Sequence, residues 1–344
     1  MTAGPAANAV FAKARAMYGK RILPEEYEKL IAGASLSEAI SFLKAHPGYR
    51  DCFSTYDPSI LRRREAERVL RREIFSRYLK LVHYIREERD GFYHYVVQEW
   101  EIAELLDCIS YLLQGKTDEY IISLPTYFVP YASFDLMQLA RANNLDQLNQ
   151  VLLRTPYAKV VQSVSRRDGV TITDFETALY CDFYKRVFTE IRRQFHGTQA
   201  QQLTDIFNMR AELFNVLCIL RGKAFFKLTA EQIQEHLLPY HFYLSSKKIR
   251  LLSQAPGYQK AVDLLKSTEY ERKDALFPID YMEKSYKKII FLQSKKMMRF
   301  SSSPAVVLAA YLSLCDIETA NLFNIIEGLR YGLAPDEIRS LLIY

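Results

Sequence analysis

The residues that could carry out chemistry are few, and their spacing is not that of a catalytic site. Gly115-Lys116-Thr117 has the form of the last residues of a phosphate-binding loop. Such a loop also requires a glycine five positions before Gly115 and a strand ahead of it. Ser110 occupies that position, inside a segment of helical periodicity. The three residues therefore predict the end of a helix.

The histidines and cysteines also lack the spacing that metal binding or catalysis requires. His236 and His241 are the closest pair of histidines, and five residues of separation do not place two imidazoles on one face of a helix. No Gly-x-Ser-x-Gly turn is present, and no cysteine lies beside a residue suited to act as its catalytic base. We therefore expect no catalytic residue, no metal and no cofactor.

The cysteines are spread along the chain without a Cys-x-x-Cys pair, which is typical of reduced, mostly buried thiols in a cytosolic protein. The five are Cys52, Cys108, Cys181, Cys218 and Cys315.

The composition favours a helical or mixed fold that can bury its own core. Of 344 residues, 49% are apolar, while glycine and proline number only 12 each, which argues against disorder and a turn-rich all-β fold. The net charge of +6 does not by itself imply nucleic acid. The longest uncharged apolar run, Pro304 to Cys315, is shorter than the roughly 20 residues that span a bilayer. We expect no direct membrane insertion.

Apolar residues recur at helical spacing along nearly the whole chain. One run begins at Asp57-Pro58, the pattern of an N-cap followed by proline, and continues to Asp90-Gly91. It predicts one long helix. Between residues 159 and 173 the apolar residues alternate, which is compatible with a strand or a loop.

The long predicted helix carries a cluster of arginines interleaved with glutamates. Opposite charges three or four positions apart form ion pairs on one face of a helix. The cluster can therefore be a self-paired, solvated face or a docking face for an acidic partner. Its residues are Arg62, Arg63, Arg64, Arg68, Arg71, Arg72 and Arg77, with Glu65, Glu67 and Glu73.

Self-similarity at a long period is the most informative feature of the sequence. Residues 212–222 and 318–328 share the pattern E-x-x-N-[VL]-x-x-I-[LI]-x-G, with 106 residues between Asn215 and Asn321. A weaker copy runs from Leu105 to Gly115, where Cys108 replaces the asparagine. The pattern predicts three diverged copies of one helical module.

Two other elements recur in the same order in each copy. A leucine-rich segment ends in a tyrosine turn, and a long amphipathic helix follows it. The segments are marked by Leu36, Leu43 and Tyr49, by Leu145, Leu152 and Tyr157, and by Tyr258, Leu265 and Tyr270. The long helices are predicted to start near Asp57, Thr173 and Asp280.

A new helix start follows each copy of the glycine. These starts are at Thr117, Thr229 and Pro335, and a similar start stands at Pro24. The chain thus opens and closes on the same element. We predict an all-α fold of three modules, approximately residues 1–120, 121–232 and 233–344, arranged around a pseudo-threefold axis.

Asn215 and Asn321 stand in the middle of two apolar helices, where asparagine is a poor helix former. Each must therefore be compensated by an interaction. The amide could tie its helix to a neighbouring segment, or it could contact a partner protein. We predict the first, structural role for both residues.

Several segments together resemble a known family. They are residues 14–17, 23–30, 36–49 and 332–342, and the E-x-x-N helix with its ending Leu220-Arg221-Gly222-Lys223. In their order and triple repetition they resemble the central-stalk subunit of rotary V/A-type ATPases, called C in prokaryotes and d in eukaryotes. The resemblance covers essentially the whole chain. It implies a funnel of three helical modules, whose wide end sits on the membrane ring of proteolipid subunits and whose socket receives the shaft subunits D and F.

The resemblance implies a non-catalytic adaptor that transmits torque from shaft to ring during proton or sodium transport, on the cytoplasmic side of the membrane. The loops after the three E-x-x-N helices are predicted to bind the shaft through their charges, so charge reversal at Arg221 should weaken binding more than reversal at Arg63. Cys108 and Glu327 depart from the pattern of the second copy, so the modules need not bind equivalently. The predicted partner-binding residues are Gln114, Lys116, Arg221, Lys223, Glu327 and Arg330.

The alternative interpretation is a free-standing helical-repeat scaffold that binds protein or nucleic acid. The basic excess supports it, but a nucleic-acid scaffold should show faces of a single sign. This sequence mixes signs on nearly every helix, so no nucleic acid is expected as a partner. A helical hydrolase is opposed by the missing catalytic residues.

Overall fold

The chain is built of helices throughout the part that the structure describes. The structure is a computed structural model and describes residues 5–33, 35–59, 61, 63–85, 91–272 and 277–344. No strand occurs in these ranges. The predicted all-α class is therefore confirmed.

Nineteen α-helices are found within the described ranges. The first five are α1 (Pro5–Tyr18), α2 (Pro24–Ile31), α3 (Leu36–Ala45), α4 (Arg50–Phe53) and α5 (Arg63–Val82). The next ten are α6 (Tyr95–Leu113), α7 (Thr117–Ser123), α8 (Leu136–Ala140), α9 (Leu145–Leu152), α10 (Ala158–Ser165), α11 (Ile172–Gln194), α12 (Gly197–Arg221), α13 (Ala230–Glu235), α14 (Ser246–Ser253) and α15 (Tyr258–Lys266). The last four are α16 (Glu269–Arg272), α17 (Met282–Phe300), α18 (Pro304–Tyr331) and α19 (Pro335–Leu341).

The helices divide into two compact units, one of which combines the first and last parts of the chain. Unit 1 comprises residues 1–86 and 269–344, and unit 2 comprises residues 87–268. In unit 1, α2 lies against α19, where Arg339 pairs with Glu28 at 2.7 Å and the rings of Tyr27 and Tyr344 stack at 4.7 Å. The elements that open and close the sequence are therefore in contact. Three modules around a threefold axis remain a prediction.

Unit 1 is organised around α18, which packs against α1, α5 and α17. The hydroxyl of Ser303 caps the helix, and Pro304 occupies its first turn. The length and composition of α18 would suit a membrane span, but 78% of its most apolar stretch is buried inside the unit. This burial explains the apolar composition of α18 as that of a core helix.

Unit 2 is organised around α11, which packs against α6, α10 and α12. Thr171 and Asp174 form a reciprocal capping box at the start of α11. The start of α6 is fixed by aromatic rings: Phe207 on α12 meets Phe92 and Tyr95 edge to face at 6.0 and 5.1 Å. The predicted long helix near Thr173 is present.

The long helix α5 is shorter than predicted. It begins at Arg63. The carboxylate of Asp57 accepts hydrogen bonds from the amide and hydroxyl of Ser59 at 2.9 and 2.7 Å and forms a turn, so Asp57 and Ser59 are not part of the helix. It ends at Val82, and residues 86–90, which precede the predicted end at Gly91, lie outside the described residues.

The alternating segment from 159 to 173 is neither a strand nor a simple loop. It is helical as far as Ser165, in α10. Val161 and Val164 are buried three positions apart, which is the spacing of one helix face. The alternating pattern was therefore too short to distinguish the period of a helix, 3.6 residues, from that of a strand, 2 residues.

Two of the three repeated glycines do not end their helices, contrary to the prediction. Gly115 ends α6 with a φ of 70°, but Gly328 lies inside α18 and Gly222 continues α12 into a π-helical turn. A Cβ on Gly328 would lie 2.5 Å from Cγ1 of Ile338, and one on Gly222 would lie 3.1 Å from Cγ1 of Ile233. These glycines are positions of close approach, where the following helix crosses.

Gly328→Ala should therefore destabilise the protein by about 1–3 kcal/mol, the usual cost of overpacking a core. Gly257→Ala is the matched control, because its added Cβ meets no atom within 4 Å and its φ is −174°. Urea unfolding followed by circular dichroism measures both variants. Equal midpoints for the two would contradict the close crossing of α18 and α19.

Candidate partner-binding site

Three buried glutamates, one on each repeated helix, hold neighbouring backbone in place. Glu212 on α12 and Glu318 on α18 are the glutamates of the E-x-x-N pattern. In the first copy that position is Leu105, and Glu101, one turn earlier on α6, is buried instead. Burial of a carboxylate is favourable only when hydrogen bonds replace its lost hydration. The partners of the three carboxylates therefore show which segments they fix.

In unit 2, Glu212 fixes the segment that precedes α14. It is fully buried, and its oxygens accept hydrogen bonds from the backbone amides of Phe242, Tyr243 and Leu244 at 2.5, 2.9 and 2.9 Å. Such charge-assisted bonds are stronger than neutral ones. A stretch without regular structure is thereby held against a core helix.

In unit 1, Glu318 is the centre of a buried charged cluster. Its carboxylate accepts a hydrogen bond from the hydroxyl of Tyr49 at 2.5 Å and another from the backbone amide of Ile22 at 2.9 Å. The guanidinium of Arg77 lies 3.4 Å from the carboxylate, 4.6 Å from the centre of the Tyr49 ring, and donates to the carbonyl of Gly48 at 2.9 Å. Four segments of unit 1 thus meet at one carboxylate.

Arg77 belongs to the arginine cluster that was predicted to be a solvated or docking face. Its side chain is only 8% exposed, so it is neither solvated nor a docking residue, but it forms the predicted ion pair within the helix, with Glu73 at 3.1 Å. A second member, Arg63, forms the predicted ion pair with Glu67 at 2.6 Å. Arg62 lies outside the described residues. The C-terminal half of α5, which contains Arg77, therefore contributes to the core of unit 1. Arg64 and Arg72 on the same helix are exposed.

Unit 2 contains a related cluster around Glu101. The hydroxyl of Tyr157 donates to Glu101 at 2.7 Å, and the backbone amide of Ser133 donates to the other carboxylate oxygen. The guanidinium of Arg186 on α11 lies 5.0 Å from the centre of the Tyr157 ring and pairs with Asp182 at 2.9 Å. The tyrosine turn, the repeated helix and the long helix are thus joined in both units by the same three residue types.

The electrostatics of these clusters suit bracing. Burial, together with the Glu318 carboxylate, raises the pKa of Tyr49 well above its usual value, and burial with Glu101 does the same for the pKa of Tyr157. Both phenols therefore remain protonated donors at any physiological pH. Within the described ranges, no group of three or more His, Cys, Asp or Glu is placed to hold a metal ion.

The two pattern asparagines are buried and tie their helices to the following segment. The side-chain oxygen of Asn215 accepts a hydrogen bond from the backbone amide of Leu238 at 2.7 Å, and its side-chain nitrogen donates one to the carbonyl of Leu238 at 2.8 Å. Asn321 makes the same two bonds with Ile343, at 3.0 and 2.7 Å, and also donates to the hydroxyl of Tyr27 at 3.2 Å. This geometry is that of the structural role predicted for them. In place of this pair of bonds, the first copy has one weak contact, from the Cys108 thiol to a carbonyl at 3.6 Å.

The first loop, residues 114–117, presents its predicted residues to solvent. Gln114 and Lys116 are both exposed. The amide of Gln114 donates to the hydroxyl of Ser110 at 3.1 Å. Lys116 is the residue before α7, so its charge stands at the junction of two helices.

The second loop, residues 221–229, is the most unusual of the three. Arg221 is exposed, and Lys223 is half-buried and donates to the carbonyl of Leu228 at 3.3 Å. The π-helical turn runs over Gly222–Phe226 and ends at Lys227, whose φ of 51° is rare for a residue other than glycine. π-Helical turns are frequent at functional sites.

The third loop, residues 327–335, belongs to unit 1, whereas the first two belong to unit 2. Glu327 forms an ion pair with Arg63 on α5, and the guanidinium of Arg330 lies 5.3 Å from the centre of the Tyr331 ring. Arg63, where charge reversal was predicted to weaken binding less than at Arg221, therefore contacts one of the loops. The convergence of the three loops on one opening remains a prediction.

Large apolar side chains are exposed next to all three loops, and sequence analysis missed them. Phe225 and Phe226 in the second loop are 60% and 69% exposed, Tyr331 in the third is 66% exposed, and Ile122 shortly after the first is 64% exposed. The signal available in the sequence was the pair of adjacent phenylalanines between two lysines. Exposed aromatic residues beside charges are typical of protein interfaces.

Tyr49→Phe should lower the free energy of unfolding by about 1–3 kcal/mol, because the buried Glu318 carboxylate loses a donor. Tyr281→Phe is the matched control, since Tyr281 is 40% exposed and should change stability by less than about 0.5 kcal/mol. Urea unfolding gives both values. An unchanged midpoint for Tyr49→Phe would contradict the role of the cluster.

Comparison with known proteins covers both units. The model of the family described as "ATP synthase (C/AC39) subunit" matches residues 10–341. The C subunit of the A-type ATP synthase of Thermococcus kodakarensis is 22% identical over 96% of this chain and 88% of its own length. That of Methanocaldococcus jannaschii is 27% identical over 72% of this chain and 63% of its own. The chain belongs to the ATP synthase (C/AC39) subunit family.

Proposed function

We propose that this protein is a non-catalytic adaptor of a rotary V/A-type ATPase. It joins the shaft subunits D and F to the membrane ring of proteolipid subunits and transmits torque during proton or sodium transport. It is peripheral to the membrane, on the cytoplasmic side, and its own chemistry is binding. Nucleotide hydrolysis and ion passage belong to other subunits.

The observation that carries this proposal is the family match over residues 10–341. It includes both compact units and all three copies of the repeated helix, so the whole chain is involved and not one domain of it. The relatives from Thermococcus are named as subunits of an A-type ATP synthase. A subunit of such a complex needs binding surfaces, and it needs no catalytic site of its own.

The internal geometry of each unit supports resistance to deformation within that unit. An adaptor that transmits torque must not dissipate twist in its own loops. Close-packed helices have low compressibility, and here the segments between helices are fixed by Glu101, Glu212 and Glu318 from the core. The buried cluster of Tyr49, Arg77 and Glu318 joins segments that are far apart in sequence.

The exposed residues of the second loop support contact with a partner there. Phe225 and Phe226 supply apolar area, and Arg221, Lys223 and Lys227 supply positive charge around it. A partner surface with apolar and acidic residues would complement both features. The same loop lacks regular α-helical bonds, because the π-helical turn widens it.

Titration of a labelled D/F pair from the same organism tests the proposal. The protein should bind one to one, with an affinity that salt weakens. Arg221→Glu should weaken binding by about tenfold, which is about 1.4 kcal/mol. The matched control is Arg166→Glu, exposed in unit 2, which should bind as the wild type does. Absence of binding by the wild type at both low and high salt would overturn the proposed function, whereas equal losses from the two variants would overturn only the location.

A further inference from the structure

The net positive charge of the protein is confined to one unit. Unit 1 contains 26 lysines and arginines against 19 aspartates and glutamates, and unit 2 contains 20 against 21. The net charge of +6 therefore derives entirely from unit 1. A surface of unit 1 must carry this excess.

Helix α17 contains many more basic than acidic residues. It contains six lysines and arginines and one acidic residue, Glu283. Its exposed residues near the C-terminus form a continuous line at positions i, i+3, i+4, i+7 and i+8, the spacing of one helix face. We name this line the α17 stripe: Leu292, Lys295, Lys296, Arg299 and Phe300.

The cations of the α17 stripe have no carboxylate partner among the residues that the structure describes. Two of them contact rings of their own helix, Lys295 at 4.8 Å from Phe291 and Arg299 at 5.2 Å from Phe300. Lys295 shares a cavity with Glu318, but that carboxylate is occupied by other donors.

On the other two long helices of the repeat, some cations are paired with a carboxylate of the same helix. On α5, Arg63 pairs with Glu67, and on α11, Arg186 pairs with Asp182 at 2.9 Å. Charges paired within a helix are available to a partner only after that pair is broken. The three cations of the α17 stripe make no such pair with any residue that the structure describes.

We propose that the α17 stripe is a docking surface for an acidic, amphipathic helix of a partner subunit. The inference rests on the proposed function, since it assumes that the protein works inside a complex. A helix with acidic side chains three and four positions apart presents its charges at the same spacing as the stripe. Leu292 and Phe300, which are 41% and 70% exposed, bracket the cations and would pack against apolar residues of that helix.

A lipid surface and a nucleic acid fit the stripe less well. Segments that bind anionic lipid carry about four to eight cations, and the stripe has three. Proteins that bind duplex DNA commonly neutralise about 6–10 phosphates, which the stripe cannot do. Apolar residues at both ends of a cationic turn favour a partner with an apolar surface of its own.

The test is rebinding of the protein to ATPase membranes of the same organism that have been stripped of it. The variant Lys295→Glu, Lys296→Glu and Arg299→Glu should rebind about tenfold or more weakly at about 0.15 M ionic strength. The matched control has the same charge change on exposed residues of unit 2, Arg166→Glu, Arg167→Glu and Lys247→Glu. It should rebind as the wild type does. All substituted side chains are exposed, so circular dichroism should show unchanged thermal unfolding for both.

Equal rebinding of the two triple variants would overturn the inference and leave the proposed function standing. Failure of the wild type to rebind would overturn both. Leu292→Ser with Phe300→Ser should also weaken rebinding, because a partner helix buries these side chains. Retention of full rebinding by this variant would overturn the helical partner. The wild type and the stripe variant are also tested for binding to phosphatidylserine vesicles and to duplex DNA. If the variant loses such binding but still rebinds to membranes, the stripe belongs to those ligands instead.

Discussion

A carboxylate inside a helical core must have its oxygens satisfied, and this constraint determines how the elements of each unit are connected. Glu318 accepts hydrogen bonds from a tyrosine hydroxyl and a backbone amide and pairs with a guanidinium, and these three groups come from three other segments. Loss of any one donor would leave a buried charge undercompensated. Glu101 and Glu212 satisfy the same constraint in unit 2, mainly through backbone amides. We therefore expect the connecting segments that these carboxylates bind to be fixed as well as the helices between which they run.

The buried charged clusters differ in character from the exposed residues on which the proposed binding depends. The titratable groups that could do chemistry, such as Tyr49 and Tyr157, are buried and held as neutral donors. The exposed features are apolar and cationic side chains at the loop ends and on α17. The proposed function depends on these exposed features, and the chain belongs to the ATP synthase (C/AC39) subunit family.

Sequence patterns predicted what depends on local chemistry. The helix starts at Thr117, Thr229 and Pro335 follow from capping and proline rules, and all three are present. The partner of Tyr49 could not be predicted, because Glu318 lies 269 residues away and a turn tyrosine has no spacing rule for such a partner. Glu101 was missed because it is one turn out of register with the pattern. Gly222 and Gly328 look like helix stops in sequence, and only the crossing of the following helix shows their packing role.

Native-state hydrogen exchange tests most directly whether buried carboxylates and amides fix the connecting segments. Loop amides in general exchange through small local openings. The amides of Ile22, Leu238, Leu244 and Ile343 are bound to buried side chains, so they should exchange as slowly as amides in the middle of α12 and α18. Exchange of these four at the rate of unprotected loop amides, while the helices stay protected, would contradict the account.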